Sequence, residues 1–314
     1  MLILMSILGG FIILTLGAES MVRGACAIAL RLGIAPLVIG LTIVAFGTSA
    51  PELAVSIKSA LAGNSGIALG NVVGSNIVNI GLILAITALI KPIKVQSQMV
   101  RRDIPFMVAV SALLLFTVMD GEVDVIDGLV FLALLAAYLV YSYRSGDADD
   151  SDADIEEVEK GPKNPLLAVV MIAVGIGMLV GGGILFVNGA VELARHFGVS
   201  EVVIGLTIVA IGTSMPELVT SVVAAIKGES DIAIGNVVGS NIFNILAILG
   251  ITSLLHPISS AGFSNVDFAV MLGFAVILLP LAWTGLRIGR REGALLLVAN
   301  LVYMGYLVQN ATAA

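Results

Sequence analysis

Residues 38 to 93 recur as residues 203 to 258 without a gap, and about two positions in three are identical between the copies. A chain duplicated in this way folds as two related units, and each copy lies in one half of the 314 residues. Hydrophobic residues make up 59% and charged residues 12%, against roughly 45–50% and about 25% in soluble domains, so both units belong in a membrane. Apolar segments long enough to cross a hydrocarbon core of about 30 Å fall at about 2–22, 35–62, 67–90, 103–119, 124–143, 165–187, 200–226, 232–255, 266–285 and 292–310. The expected fold is therefore an all-α polytopic membrane protein of ten transmembrane helices. Five spans per half is an odd number, so the second copy enters the membrane upside down, giving two inverted-topology five-helix repeats. The first repeat covers 1–144 with its duplicated segment at 38–93. The second covers 165–314 with its segment at 203–258, and residues 145–164 join them. The first span reads as a retained helix. It lacks a basic leading region, and its counterpart begins near Leu166, well inside the chain.

The net charge of −7 says little about the membrane body. Eight acids fall between Asp147 and Glu159, and the rest of the chain carries +1. The run Asp147 to Asp154 lacks the glycine and terminal glutamate of a calcium loop in register, so the segment reads as a solvated linker. Arg23, Arg31, Lys91, Lys94, Arg101, Arg102, Arg144, Lys160, Lys163, Arg287, Arg290 and Arg291 follow spans that end on one side. The other side holds Asp120, Glu122, Asp124 and Asp127, with Lys58 and Arg195 as its few bases. By the positive-inside rule both termini face outward and the linker is cytoplasmic. The single Cys26 excludes an internal disulfide framework, and no zinc-type Cys/His cluster is present; His196 and His256 fall near segment ends.

Each copy carries a carboxylate inside an apolar run. Ala45 to Glu52 reads Ala-Phe-Gly-Thr-Ser-Ala-Pro-Glu, and Ala210 to Glu217 reads Ala-Ile-Gly-Thr-Ser-Met-Pro-Glu. Thr48, Ser49 and Glu52 share one helical face, as do Thr213, Ser214 and Glu217. Pro51 and Pro216 lack an N–H and crowd the preceding turn, so both helices should kink and free backbone oxygens near Gly47 and Gly212. A hard cation takes such oxygens. A buried charge at mid-membrane marks an ion pathway, and no span carries a base near the bilayer centre that could pair with either glutamate. Glu52 and Glu217 together balance one Ca²⁺, whose six to eight ligand positions neutral oxygens can complete.

A second polar stretch, Gly70 to Asn79, recurs as Gly235 to Asn244. Asn71, Ser75 and Asn79 fall on one helical face, while Gly70 and Gly74 lie on a neighbouring face where helices can approach closely. Asn71, Asn76, Asn236 and Asn241 suit interhelical hydrogen bonding as well as ion binding. No nucleophile or cofactor motif supports an enzyme.

Gly-Thr-Ser-x-Pro-Glu followed by Gly-Asn-x-x-Gly-Ser-Asn-x-x-Asn, in both halves, resembles the α-repeats of the sodium/calcium exchangers of the calcium/cation antiporter superfamily, in particular the compact prokaryotic type. The resemblance implies ion ligands from the Ala45 carbonyl, Thr48, Ser49, Glu52, Ser75 and Asn79, and from the Ala210 carbonyl, Thr213, Ser214, Glu217, Ser240 and Asn244. It implies a central calcium position flanked by sodium positions, with no cofactor beyond the transported ions. It also implies a cell-membrane location with lipid and the two cations as the partners, and no nucleic acid. By the same resemblance the first and sixth spans, rich in glycine (Gly175, Gly177, Gly181, Gly182, Gly183), slide across an eight-helix core. Asn244 stands where potassium-dependent relatives carry aspartate, which speaks against potassium coupling. The leading expectation is Na⁺/Ca²⁺ antiport. A cation/proton antiporter is the alternative, although the proton-coupled branch carries a glutamate where this chain has Gly74 or Ser75. A passive channel fits two oppositely kinked repeats poorly.

Overall fold

The computed structural model describes residues 2–63, 65–145, 162, 164–197, 210–261 and 263–313. Nearly all of them are helical. In chain order the helices are α1 (Leu2–Leu32), α2 (Pro36–Thr48), α3 (Ala50–Leu61), α4 (Gly66–Ile90), α5 (Met99–Asp120) and α6 (Val125–Ser145). The second half supplies α7 (Pro165–His196), α8 (Ala210–Thr213), α9 (Met215–Lys227), α10 (Ser230–Leu255), α11 (Asn265–Trp283) and α12 (Arg290–Ala313). Among the described residues eight helices are long and apolar enough to cross a membrane, and α2 with α3 forms a ninth, bent by 45°. Residues 198–209, where the expected 200–226 span begins, lie outside the described set, as does most of the acidic linker.

Two spans are longer than their apolar runs suggested. The expected 2–22 segment continues to Leu32 and the 165–187 segment to His196. Arg23 and Arg31 therefore lie on α1 itself and not in a loop after it. A base does not end a helix, and α1 stops only before Gly33, whose φ of +63° is the left-handed conformation that closes helices. At 1.5 Å per residue α1 is about 46 Å long, well beyond the hydrocarbon core.

α1 and α7 pack against each other along their lengths because glycines recur every seventh residue on the shared face: Gly10, Gly17 and Gly24 on α1, and Gly175, Gly182 and Gly189 on α7. A Cβ added to Gly10 would lie 2.6 Å from the Phe186 nitrogen, and one on Gly17 would lie 2.9 Å from the Gly175 carbonyl. Of the glycines expected at this contact, Gly175 and Gly182 sit in it. Added Cβ atoms at Gly177 and Gly181 meet no described atom within 4 Å, so those two are not part of the packed face.

α4 and α10 form the middle of the molecule. α10 is buried over all of its most apolar stretch and α4 over 72%, whereas α12 is buried over only 17%. Both central helices pass through a π-helical segment, Asn79–Leu84 in α4 and Asn244–Leu249 in α10, the kind of irregularity that concentrates at functional positions. Gly235 and Gly239 of α10 lie against the α2 backbone at Leu37, Gly40 and Leu41 and against the Ala45 methyl, as the small-residue face predicted. The segment equivalent to α2 that would answer Gly70 and Gly74 lies outside the described residues.

The halves also interlock at their ends. β1 (Ile93–Lys94) pairs antiparallel with β4 (Arg287–Ile288), and β2 (Glu122–Val123) pairs with β3 (Ile258–Ser259). Each ladder is the other displaced by 165 residues. Tyr138 donates to Asp103 at 3.1 Å between α6 and α5, and Tyr303 donates to Asp267 at 2.8 Å between α12 and α11. One arrangement of contacts thus occurs twice.

Candidate functional site

The kinks fall where the prolines predicted them. α2 ends at Thr48 and α3 begins at Ala50, with Ser49 (φ −81°, ψ 5°) outside the helical range between them; Ser214 (φ −89°, ψ 10°) occupies the same place before α9. Pro51 and Pro216 sit in the first turns of α3 and α9, where a missing N–H costs nothing. Glu52 and Glu217 follow in the same turns. Both are 1% exposed, and neither forms an ion pair with a described residue.

Hydrogen bonds cross between the halves. Ser49 Oγ donates to Glu217 Oε1 at 3.1 Å, and Ser214 Oγ donates to Glu52 Oε1 at 3.3 Å while lying 3.4 Å from Ser75 Oγ. The Thr48 hydroxyl is within range of Asn236 Oδ1 (3.0 Å) and Ser240 Oγ (3.4 Å). Thr48, Ser49, Glu52, Ser75, Ser214, Glu217 and Ser240 therefore meet in one cluster. Thr213 is half-buried at the end of α8, and Ala210 begins the described part of that helix. The Ala45 carbonyl accepts the Ser49 N–H at 3.0 Å and the Thr48 hydroxyl at 3.2 Å, so it is already engaged within its own helix.

The other asparagines hold this cluster in place. Asn71 Nδ2 donates to the Glu52 carbonyl (3.0 Å) and Ser56 Oγ (3.0 Å); Asn236 Nδ2 does the same to the Glu217 carbonyl (3.3 Å) and Ser221 Oγ (2.9 Å). Asn76 and Asn241 exchange bonds with one another's backbone carbonyls at 3.3 and 3.4 Å. Asn79 Nδ2 donates to Asn241 Oδ1 and Asn244 Nδ2 to Asn76 Oδ1, each at 2.9 Å. With both amide nitrogens spent on partners, the orientation of Asn79 and Asn244 is fixed and their oxygens point elsewhere. Of the two readings open for Asn76 and Asn241, these bonds show the interhelical one. The seats at Ser56 and Ser221 were not assigned from sequence, and their only signal was recurrence at the same offset.

Of the eight buried side-chain atoms without a partner among the described residues, four are acceptor oxygens of this network. Glu52 Oε2, Glu217 Oε2, Asn79 Oδ1 and Asn244 Oδ1 are buried without a hydrogen-bond partner. A buried polar atom ordinarily has one, and these four can only accept. Two carboxylate and two amide oxygens with no donor facing them match the hard-cation ligand type. No group of three or more His, Cys, Asp or Glu side chains suited to a metal occurs among the described residues, so charge at the centre is limited to the two glutamates.

The sequence/structure comparisons agree with this chemistry. The family model described as sodium/calcium exchanger protein matches residues 2–144 and again 167–309. The chain is 41% identical to CaxA of Alkalimonas amylolytica over 308 residues, covering 96% of each chain. It is 36% identical over 343 residues to the sodium/calcium exchanger MaX1 of Methanosarcina acetivorans, covering 95% of this chain and 97% of that one. A solved structure of the sodium-calcium exchanger NCX_Mj superposes with a TM-score of 0.85 at 32% identity, covering 97% of this chain and 98% of that one. With both halves matched and relatives aligned end to end, the chain belongs to the sodium/calcium exchanger family.

Proposed function

We propose that the protein is a secondary antiporter exchanging Na⁺ for Ca²⁺ by alternating access. The four unpartnered acceptor oxygens carry the reading. Glu52 and Glu217 neutralise one Ca²⁺, Asn79 and Asn244 face it with their amide oxygens, and Thr48, Ser49, Ser75, Thr213, Ser214 and Ser240 supply hydroxyl oxygens. The Ala210 carbonyl adds another oxygen, and the Ala45 carbonyl one more once the Thr48 hydroxyl turns from it to the ion; the total exceeds the six to eight oxygens that Ca²⁺ takes, which leaves enough for sodium to occupy smaller sites in the same cluster. Ten helices in two inverted repeats account for the recurrence of kink and ladder at 165 residues and for the second Tyr–Asp pair. α1 and α7, joined through glycine, serve as the moving pair against the remaining helices. The termini face outward and the linker the cytoplasm. The name of MaX1 and the exchanger in the solved NCX_Mj structure support these ions as cargo.

The test is calcium uptake into proteoliposomes loaded with sodium, repeated with a pH gradient in place of the sodium gradient. Uptake driven by sodium alone is expected. Uptake driven by the pH gradient alone would make the protein a cation/proton antiporter, and uptake driven by neither, with single-channel currents, a pore.

A further inference from the structure

Where α5 begins and α11 ends, a cleft of about 160 Å³ opens, lined by Ser97, Val100, Arg101, Trp283 and Leu286. Val100 is buried and the other four are exposed. Three of the lining residues carry hydrogen-bond donors: Ser97 its hydroxyl, Arg101 its guanidinium and Trp283 its indole N–H. None of them is engaged by a described residue. The neighbouring Arg102 is already committed, bonding Asp103 at 2.9 Å and lying 5.3 Å from the centre of the Tyr141 ring.

The adjoining strand ladder adds charge. Lys94 of β1 stands directly opposite Arg287 of β4, both exposed, and the Val95 N–H donates to the Leu286 carbonyl at 2.9 Å, tying ladder to cleft. Like charges directly opposite each other destabilise a sheet. The fold does not demand them, because Glu122 faces Ser259 in the equivalent ladder. The nearby acids are engaged: Asp103 is fully buried with Arg102 and Tyr138, Asp231 accepts from Gln96 Nε2 at 2.7 Å, and Glu292 accepts the Gly289 N–H at 2.9 Å. A general excess of bases on one side of the membrane accounts for their number. It does not account for two bases in register beside a cleft whose lining includes Arg101, Ser97 and Trp283.

The apolar part of the cleft is as particular. Leu286 holds a φ of +47°, immediately after Gly285 at +75°, a conformation a bulky side chain seldom adopts. Trp283 is the only tryptophan in the chain, a residue type enriched where hydrocarbon meets headgroups.

We propose that this cleft binds an anionic phospholipid. The phosphodiester is taken by Arg101, Ser97 and the indole N–H in the field of Lys94 and Arg287, and an acyl chain runs over Val100 and Leu286. Basic pockets between membrane helices are suited to such headgroups. The inference does not depend on which cations are exchanged.

Trp283 makes the test direct, since it is the sole indole in the protein. The intact protein is reconstituted in phosphatidylcholine vesicles containing the same minor fraction of either brominated phosphatidylglycerol or brominated phosphatidylcholine, and quenching of Trp283 fluorescence is read. Stronger quenching by the glycerol lipid is expected. Arg101→Gln should weaken that preference by about fivefold, the partition value of one base near an anionic surface, and Arg101→Lys should retain most of it. Raised ionic strength should reduce the preference in the unmodified protein, a readout that needs no variant. Equal quenching by the two lipids, or a preference insensitive to both salt and Arg101→Gln, would overturn the proposal. Displacement by inorganic phosphate in the aqueous phase would overturn the lipid assignment in favour of a free anion.

Discussion

Ser49 of the first half donates its hydroxyl to Glu217 of the second at 3.1 Å, across 168 residues of sequence. The reciprocal bond from Ser214 to Glu52 is 3.3 Å. Each carboxylate is thus steadied by the opposite half through one oxygen, and the other oxygen is left for a cation. Glu52→Gln and Glu217→Gln keep the shape but remove half the negative charge. Loss of one partner from a buried ionic cluster costs about 3 kcal/mol or more, which corresponds to over about a hundredfold in rate. Sodium-driven calcium uptake should be abolished in both variants while their elution on size exclusion stays unchanged. Near-normal uptake by either would remove the glutamates from the site.

The serines should behave differently from the glutamates they serve. Ser49→Ala and Ser214→Ala each delete one hydrogen bond to a charged group, worth about 1.5–3 kcal/mol, and leave the charge in place. Calcium affinity should fall by about tenfold to a hundredfold with exchange still measurable, and the two variants should match within a few fold because their geometries match. A strongly unequal pair would mean that the halves do not contribute alike.

Counting charge predicts a current. Asn79 and Asn244 are neutral, so on the proposed mechanism the site carries −2 and would move as a neutral unit with one Ca²⁺. If three sodium ions fill the flanking positions, it returns at +1. One charge crossing the field is worth about 2.3 kcal/mol per 100 mV, so an inside-negative potential should favour sodium entry and calcium exit. Calcium flux in vesicles under a potassium diffusion potential should follow the sign of that potential. Asn244→Asp should alter the voltage response and not merely the rate.

Much of this site could be read from residues alone. Glu52 and Glu217 stood out because a carboxylate in an apolar run is expensive, and Pro51 and Pro216 located both kinks. Those signals are local, lying within one turn of helix. Asn76 and Asn241 were ambiguous because their roles depend on which helix faces which, and the partner of each is 165 residues away. Helix length misled for a different reason: Arg23 looked like a boundary, yet its guanidinium reaches Glu19 one turn back at 2.7 Å and stays on the helix. Gly177 and Gly181 show the limit of composition, since a glycine-rich segment does not say which glycines face the neighbour.

That distinction can be tested within α1 and α7. Gly17→Ala places a methyl 2.8 Å from Met178 Cβ and 2.9 Å from the Gly175 carbonyl, whereas Gly177→Ala meets no described atom within 4 Å. Overpacking of this kind costs about 1–3 kcal/mol. The first variant should lower thermal stability or slow exchange by about tenfold or more, and the second should leave both nearly unchanged. If Gly177→Ala proves the more damaging, the tight face of the pair has been misidentified.

The strand ladders carry a consequence for how the two halves came to differ. Ile93 pairs with Ile288, and the residues at their displaced positions, Ile258 and Val123, pair with each other. What one half offers at a ladder it also receives at the other. In two identical chains such reciprocity would force every change to appear at both ladders at once. In a single fused chain a change is written once, so Lys94 could come to face Arg287 on one side while Ser259 faced Glu122 on the other. Fusion therefore released the two surfaces from sharing a single electrical character, and a chain whose surfaces differ has only one comfortable way to sit between two unlike aqueous compartments.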